Sequence, residues 1–366
     1  MKNTFGNSVS VTLFGESHGE AIGVVIDGIC PGIEVDTDYI DRQLEKRRPS
    51  LATDTKRREK DVYSILSGVF NGKTTGTPIA IIIPNEDKNS DHYERIKDTP
   101  RPSHADYAAR CKYHGYEDYR GGGHFSGRIT VALVAAGAIC SLALKNVGVT
   151  VGTHILSCGG VSDREFKDVY KDVNTLLNKD FPLLSDVEEQ MTDRVIQAKM
   201  DRDSLGGVLQ TAICGVPAGV GEPWFDSCES ILSHAMFSIG GIKGIEFGDG
   251  FALANMRGSE ANDAFRVKDG QVVTKTNKSG GINGGITNGM PIVFNCAVKP
   301  TPSISSPQES VDLSSMENTR LVIEGRHDPA IVRRVCHVVN AMSAICVCDM
   351  LAQRYGTDCF LKGEIK

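Results

Sequence analysis

The chain is 366 residues long, 40% hydrophobic and 23% charged, with a formal net charge of −6. That balance excludes a disordered or fibrous chain, and the acidic net charge argues against nonspecific nucleic-acid binding, which needs a basic face. Eleven cysteines, none in a Cys-x-x-Cys pair, and no secretory leader point to a reduced cytoplasmic protein with free buried thiols.

In chain order, residues 9–14 predict a strand and residues 23–28 its antiparallel neighbour. The loop Gly15-Glu-Ser-His-Gly19 lies between them and Pro31-Gly32 closes the pair. A helix follows from about residue 38 to 48, capped by Asp36 or Thr37, with Ile40 and Leu44 on one face, a basic end and Pro49 as its stop. Residues 64–70 and 79–83 predict strands, and Asn71-Gly72 between them supplies the two positive φ angles of a type I′ hairpin, a signal repeated at Asp269-Gly270.

Residues 128–144 have helical apolar spacing, and the longest apolar stretch, 131–144, is too short and too interrupted by Ala, Gly and Ser to span a bilayer, so no membrane segment is expected. Ser185 and Glu188 predict a capping box for a helix reaching about Lys199, and residues 208–214 predict a strand. The longest helix closes the chain, with Asp328 as its cap, Pro329 in its first position and Gly356 at its end. Helices and hairpins mix without a strand-helix-strand repeat, so the fold class is α+β with antiparallel sheets, in one domain over 1–366. The echo of Gly23-Val-Val-Ile-Asp-Gly-Ile-Cys-Pro-Gly32 in Gly207-Val-Leu-Gln-Thr-Ala-Ile-Cys-Gly215 hints at an internal pseudo-repeat of two related halves.

Two phosphate-loop signals fail. In Gly68-Val-Phe-Asn-Gly72-Lys-Thr74 the glycine spacing is one residue short and no helix can open at Pro78, while Gly121 and Gly123 would begin a dinucleotide fingerprint whose third glycine is Ser126. What remains is a glycine run entering a helix start with Arg128 inside it, an end that attracts anions or is simply a turn capped by Ser126. Basic residues bunch at Arg42, Lys46, Arg47, Arg48, Lys56, Arg57, Arg58, Arg101, Arg120 and Arg128. On an acidic protein such a region fits a small polyanionic ligand, or a solvated helix face.

Three distant segments combine titratable side chains with turn formers: Gly15-Glu-Ser-His-Gly19, Arg101-Pro-Ser-His-Ala-Asp106 and Gly325-Arg-His-Asp-Pro329. Together with Arg120-Gly-Gly-Gly123 and Lys299-Pro-Thr-Pro-Ser303 they resemble the chorismate synthase family, in order along most of the chain. The resemblance implies helices sandwiched between antiparallel β-sheets in a single large domain, assembled as a homotetramer. It also implies conversion of 5-enolpyruvylshikimate 3-phosphate to chorismate, phosphate leaving one ring carbon and a proton another in an anti 1,4 relationship, with reduced FMN as cofactor and no net redox change.

By that resemblance His104 assists the departing phosphate, and His18 sits by the flavin and stabilises its reduced anionic form. Asp328 acts with the flavin in taking up the ring proton, supported by hydrogen bonds from Ser17 and Ser126. Histidine suits such transfers because it titrates near neutrality. Arg47, Arg101, Arg128 and Arg326 are the anion clamps, since a guanidinium fork matches phosphate and carboxylate. FMN contacts fall on His124, Phe125, Ser126, Gly240, Gly241, Gly284, Lys299, Pro300, Thr301, Pro302, Ser303 and Arg326.

The chain departs from the family pattern in places: Ser50 and Ser103 stand where glycine is common, and His124-Phe125 replaces an Arg-Ser pair. The second basic position expected after Arg47 falls in Leu51-Ala-Thr-Asp-Thr55, with Lys56 as its substitute. Competing readings are a flavin oxidoreductase with net electron transfer, against which no nicotinamide fingerprint is found, and a nonenzymatic flavin carrier. His18, His104 and His327 lack metal-ligand spacing, so no metal is expected.

Overall fold

The computed structural model describes residues 2–49, 59–86, 91–323 and 327–361. Two five-stranded sheets, antiparallel throughout, form its outer layers. The N-terminal sheet has the strand order Thr4–Phe5, Ser10–Gly15, Ala21–Asp27, Ile79–Pro84, Ser64–Ile65. The other sheet runs Ile242–Phe247, Ile292–Val298, Gly207–Cys214, Thr150–Cys158, Val161–Ser162. The two echoing segments of sequence thus supply the central strand of each sheet.

Alternation decides which face of each sheet is covered. Ile22, Val24 and Ile26 oppose Ile83, Ile81 and Ile79 across the ladder, and all six are buried. In the other sheet Leu209, Thr211 and Ile213 oppose Cys296, Phe294 and Ile292, again all buried. Burying each such large aliphatic is worth about 1.5–3 kcal/mol, so register in both sheets is strongly specified.

Between the sheets lie helices Thr130–Lys145 and Val332–Tyr355, packed on each other. The first rests on the N-terminal sheet and the second on Thr150–Cys158 and Gly207–Cys214, with Thr37–Arg47 and Cys228–Ser238 beside them. Gly137 lets the central pair approach, because a Cβ there would stand 2.5 Å from Ala341 Cα. Asp349, buried in the last helix, accepts the backbone N–H groups of Asn7, Ser8 and Val9 and so ties the N-terminal turn to the core. With the 3₁₀ turn that precedes it, the first central helix reaches bilayer length, as does the last. Both are long and apolar enough to cross a membrane by composition, yet both are largely buried inside the fold.

The helix over 37–47 is capped by Asp36, which accepts from Tyr39 N, and both Asn-Gly and Asp-Gly turns have their positive φ angles. Five expectations need correction. The strand expected over 64–70 breaks at Gly68 (φ 79°), and the Asn71-Gly72 hairpin pairs Val69–Phe70 with Lys73–Thr74 instead of 79–83. Ser185 does not cap Glu188–Met200, because its hydroxyl donates to the buried Asp163 carboxylate. Asp328 does not cap the last helix either: that helix begins at Val332, and the Asp328 carboxylate pairs with Arg334. Pro329 therefore lies ahead of the helix, where its carbonyl accepts from Leu205 N.

Candidate active site

A glycine turn organises the site. Gly121, Gly122 and Gly123 all have positive φ (59°, 81° and 52°), a region that costs other residues strain. A Cβ on Gly121 would lie 2.1 Å from His18 Cε1, one on Gly122 3.3 Å from His104 Cε1, and one on Gly123 2.1 Å from the Asp118 carbonyl oxygen. The turn is therefore a wedge without side chains, which brings two histidines from loops 86 residues apart in sequence against one stretch of backbone.

His18 and Ser17 come from the loop joining the first two long strands, and both are buried. Asn85 holds that loop by donating to the carbonyls of Glu16 (2.9 Å) and Gly19 (3.1 Å), and Ser17 N donates to Gly123 O (3.1 Å). The Ser17 hydroxyl donates to the Gly121 carbonyl (3.2 Å) or that of Arg120 (3.3 Å), which leaves its lone pairs to accept from His18 Nδ1 at 3.0 Å. This arrangement assigns the Nδ1–H tautomer to the neutral His18 ring. The Tyr93 ring meets His18 edge-on at 5.4 Å and lies under the Arg101 guanidinium at 6.0 Å.

On the other side of the wedge His104 Nδ1 lies 2.6 Å from Asp106 Oδ1. The same carboxylate accepts from Arg101 N (3.0 Å), Nε (2.8 Å) and Nη2 (2.8 Å), while Arg101 Nη1 reaches Ser303 Oγ at 3.4 Å. Burial alone would raise the Asp106 pKa, but hydrogen bonds from Arg101 and His104 outweigh it and hold the group far below the usual carboxylate range. Ser103, where glycine is common, takes a left-handed φ of 58°, and its carbonyl accepts from Lys299 Nζ at 2.6 Å.

The arginines divide into kinds. Arg47 is buried, not a solvated helix end. It donates to Gly127 O (3.4 Å) and Thr130 Oγ1 (3.2 Å), lies 3.6 Å from Asp61, and is lowered to about 9 by burial and by Arg334, with Asp61 opposing. Arg128 is committed to protein acceptors: Asn85 Oδ1 at 3.0 Å, Pro84 O at 3.2 Å, Glu59 at 2.7 Å, and Asp61. Its charge is answered inside the fold. Asp61 is pushed up by burial but pulled down further by Arg47 and Arg128, so it stays ionised. Arg334 bridges two candidates, donating from Nε to the Arg47 carbonyl (3.1 Å) and from Nη1 to Asp328. Arg326, Ser50, Leu51, Thr55, Lys56, Arg57 and Arg58 lie outside the described residues.

The segment from Lys299 to Ser303 joins this region through Lys299 and Ser303. It is anchored by Lys299 N to Gly241 O (2.9 Å), Ser204 Oγ to Thr301 O (2.7 Å) and Gln308 Nε2 to Pro302 O (3.3 Å), while Pro300 closes on Gly206. Thr301 Oγ1 is buried without a hydrogen-bond partner, and burial and Lys243 lower the Lys299 pKa. Gly240 and Gly241 adjoin this segment. His124 donates from Nδ1 to Gly15 O (2.8 Å), half-exposed Phe125 packs edge-on against Tyr113, and Ser126 Oγ accepts from Arg128 N (3.3 Å). Gly284 stands apart, in the turn between Ile282–Asn283 and Ile286–Thr287, beside residues 220–228. A cavity lined by Tyr93, Arg101, His104, Asp106, Gly122 and Phe125 opens on the His104 side.

Sequence reasoning missed Glu59, Asp61, Asn85, Tyr93 and Arg334 as members of the site, and gave Asp106 no role of its own. Asp106 had a signal, two residues beyond His104 in a motif already singled out. The others had none, because nothing local marks which carboxylate will meet a distant guanidinium.

The fold and site together define a two-sheet α+β protein whose polar loops gather histidines, arginines and carboxylates around a glycine turn. Residues 9–352 match the sequence model of the family described as chorismate synthase. The chain is 46% identical over 351 residues to chorismate synthase of Thermococcus kodakarensis, covering 95% of this chain and 97% of that protein. It is 46% identical over 355 residues to that of Aeropyrum pernix, with 96% and 93% covered. A crystal structure of chorismate synthase superimposes with a TM-score of 0.75 at 28% identity, covering 98% of this chain and 95% of the other. The chain belongs to the chorismate synthase family.

Proposed function

We propose that this chain eliminates phosphate from 5-enolpyruvylshikimate 3-phosphate to give chorismate, with reduced FMN as cofactor. The observation that carries the reading is two histidines set on either face of one glycine turn, with Arg101, Asp106 and Ser303 beside the second. The residues suit a flavin mononucleotide: a lysine and an orphaned buried hydroxyl at Thr301 offer polar partners, and the glycines leave backbone approachable.

In this proposal one ring C–O bond and one ring C–H bond break, a new C=C bond forms, and phosphate and a proton leave, so the balance involves no net oxidation. Reduced FMN, when bound, would supply transient electron density to this elimination and be returned unchanged. His104 delivers a proton from its ring to the leaving phosphate, Asp328 takes up the ring proton on its carboxylate, and His18, oriented by Ser17, stabilises negative charge near the flavin. Arg47, Arg101 and Arg326 bind the substrate's phosphate and carboxylates, with Arg128 shaping Asp61 beside them. Lys299, Thr301, Ser303, His124, Phe125, Ser126, Gly240 and Gly241 would hold FMN. Gly284, remote within one chain, would belong to that site through a neighbouring copy. A homotetramer accords with this and with Trp224, Phe225 and Phe251, which are 83%, 91% and 81% exposed. A reduced, cytoplasmic setting accords with eleven free cysteines.

The test is anaerobic assay with dithionite-reduced FMN and 5-enolpyruvylshikimate 3-phosphate, following phosphate and chorismate. Equal release of both is expected. FMN binding with neither product would make the chain a flavin carrier instead, and light scattering checks the assembly.

A further inference from the structure

We infer that Asp106 is a positioning residue that acts through His104, fixing which ring nitrogen faces the substrate, while it separately sets the plane of the Arg101 guanidinium. The inference rests on the proposed role of His104 as proton donor.

Its two carboxylate oxygens divide the work. Oδ1 takes the His104 ring at 2.6 Å together with Arg101 Nη2 at 2.8 Å, and Oδ2 takes Arg101 Nε at 2.8 Å together with the Arg101 backbone N at 3.0 Å. An acid in the first turn of Asp106–Tyr113 needs no explanation beyond the helix dipole, but such an acid has no reason to hold a histidine ring two residues back. Since a carboxylate accepts only, Nδ1 must carry hydrogen, and Nε2 is the nitrogen presented on the Gly122 side, where a Cβ would come within 3.5 Å of it. With Nδ1–H held on Asp106 Oδ1, Nε2 is left as the nitrogen that can give a proton to the substrate and then regain it. Without Asp106 the ring could turn over and aim the wrong nitrogen.

A double-mutant cycle separates this from a merely structural role. Asp106→Asn in the whole enzyme should lower kcat about 10²-fold, with FMN affinity within about twofold of wild type. In a His104→Ala background the same change should lower kcat by less than about threefold, because its effect is already lost, while the rise in KM that comes from Arg101 persists in both backgrounds. Asp106→Glu should retain part of the rate and serves where the Asn variant folds poorly. Equal loss of kcat in both backgrounds, or an Asn or Glu variant indistinguishable from wild type, would overturn the inference. Failure of the wild-type chain to release phosphate is a different result, and overturns the parent reading first.

Discussion

The two histidines on either side of the glycine turn are held by different chemistry. His18 is fixed by a neutral hydroxyl, itself anchored to backbone carbonyls, with an aromatic edge beside it. His104 is fixed by an ionised carboxylate that also grips an arginine. A hydroxyl can donate as well as accept, whereas a carboxylate only accepts and so fixes Nδ1–H on the ring it holds. The asymmetry suits a site in which one ring delivers a proton to phosphate and the other serves as a hydrogen-bonding neighbour to the flavin.

The largest effect should come from His104→Ala, which on the proposed mechanism removes general acid assistance typically worth about 10²–10⁴-fold in turnover, while FMN binding stays near wild type. Steady-state rates within a few-fold of wild type would dissolve the contrast between the two rings.

The wedge itself is tested by Gly121→Ala against Gly122→Ala. The first would drive a methyl group into His18 and Ser17, and turnover should fall about 10²-fold, as misplacement by an ångström can cost. At Gly122 the contact with His104 is looser, at 3.3 Å, so the loss should be smaller. Equal losses would show that the strained φ angles, and not the rings, dominate.

Ser17→Ala should cost less again. It deletes two hydrogen bonds, one to His18 Nδ1 and one to a backbone carbonyl, each worth about 0.5–1.5 kcal/mol net. Only the first orients the ring, so turnover should drop by about tenfold or less, with a modest fall in melting temperature. A loss as large as that of His104→Ala would place Ser17 in the chemistry and not behind it.

The smallest effect on turnover concerns a third histidine, outside the wedge, one of whose ring nitrogens is buried without a partner. His337 Nε2 has no hydrogen-bond partner, and burial, with Lys46, Arg333 and Arg47 nearby, lowers its pKa to about 3. The unfolded chain takes up this proton below about pH 6.5 and the folded chain only near 3, so stability is lost as pH falls through that window. His337→Leu should remove about 1–2 kcal/mol of that loss at pH 5, read as a flatter dependence of denaturant midpoint on pH. Asp106 acts in the same direction at lower pH: its depressed pKa adds stability that is present above about pH 4 and fades below it. An unchanged acid limb in His337→Leu would locate the sensitivity elsewhere.

Much of this architecture was legible in the chain. Strand alternation at 22–26 and 79–83, the Asn71-Gly72 and Asp269-Gly270 turns, the Asp36 cap and the Gly356 stop each depend on neighbours a few residues away, and each stands where local stereochemistry puts it. Where a local signal had a competitor it failed. Ser185 could cap a helix, but the buried Asp163 carboxylate needed its hydroxyl more; Asp328 could cap the last helix, but a charged guanidinium at Arg334 is the stronger partner.

The sequence by itself therefore determined the turns, the faces of the strands and the set of residues able to move protons and bind anions, because positive φ, period-two burial and side-chain chemistry are properties of short segments. Only the tertiary structure decided which distant acceptor meets which buried cation. Buried ions must be answered wherever they lie, and Arg128 with Asp61, or Arg334 with the carbonyl of Arg47, are brought together by the packing of whole sheets and helices, across separations on which no spacing in the chain bears.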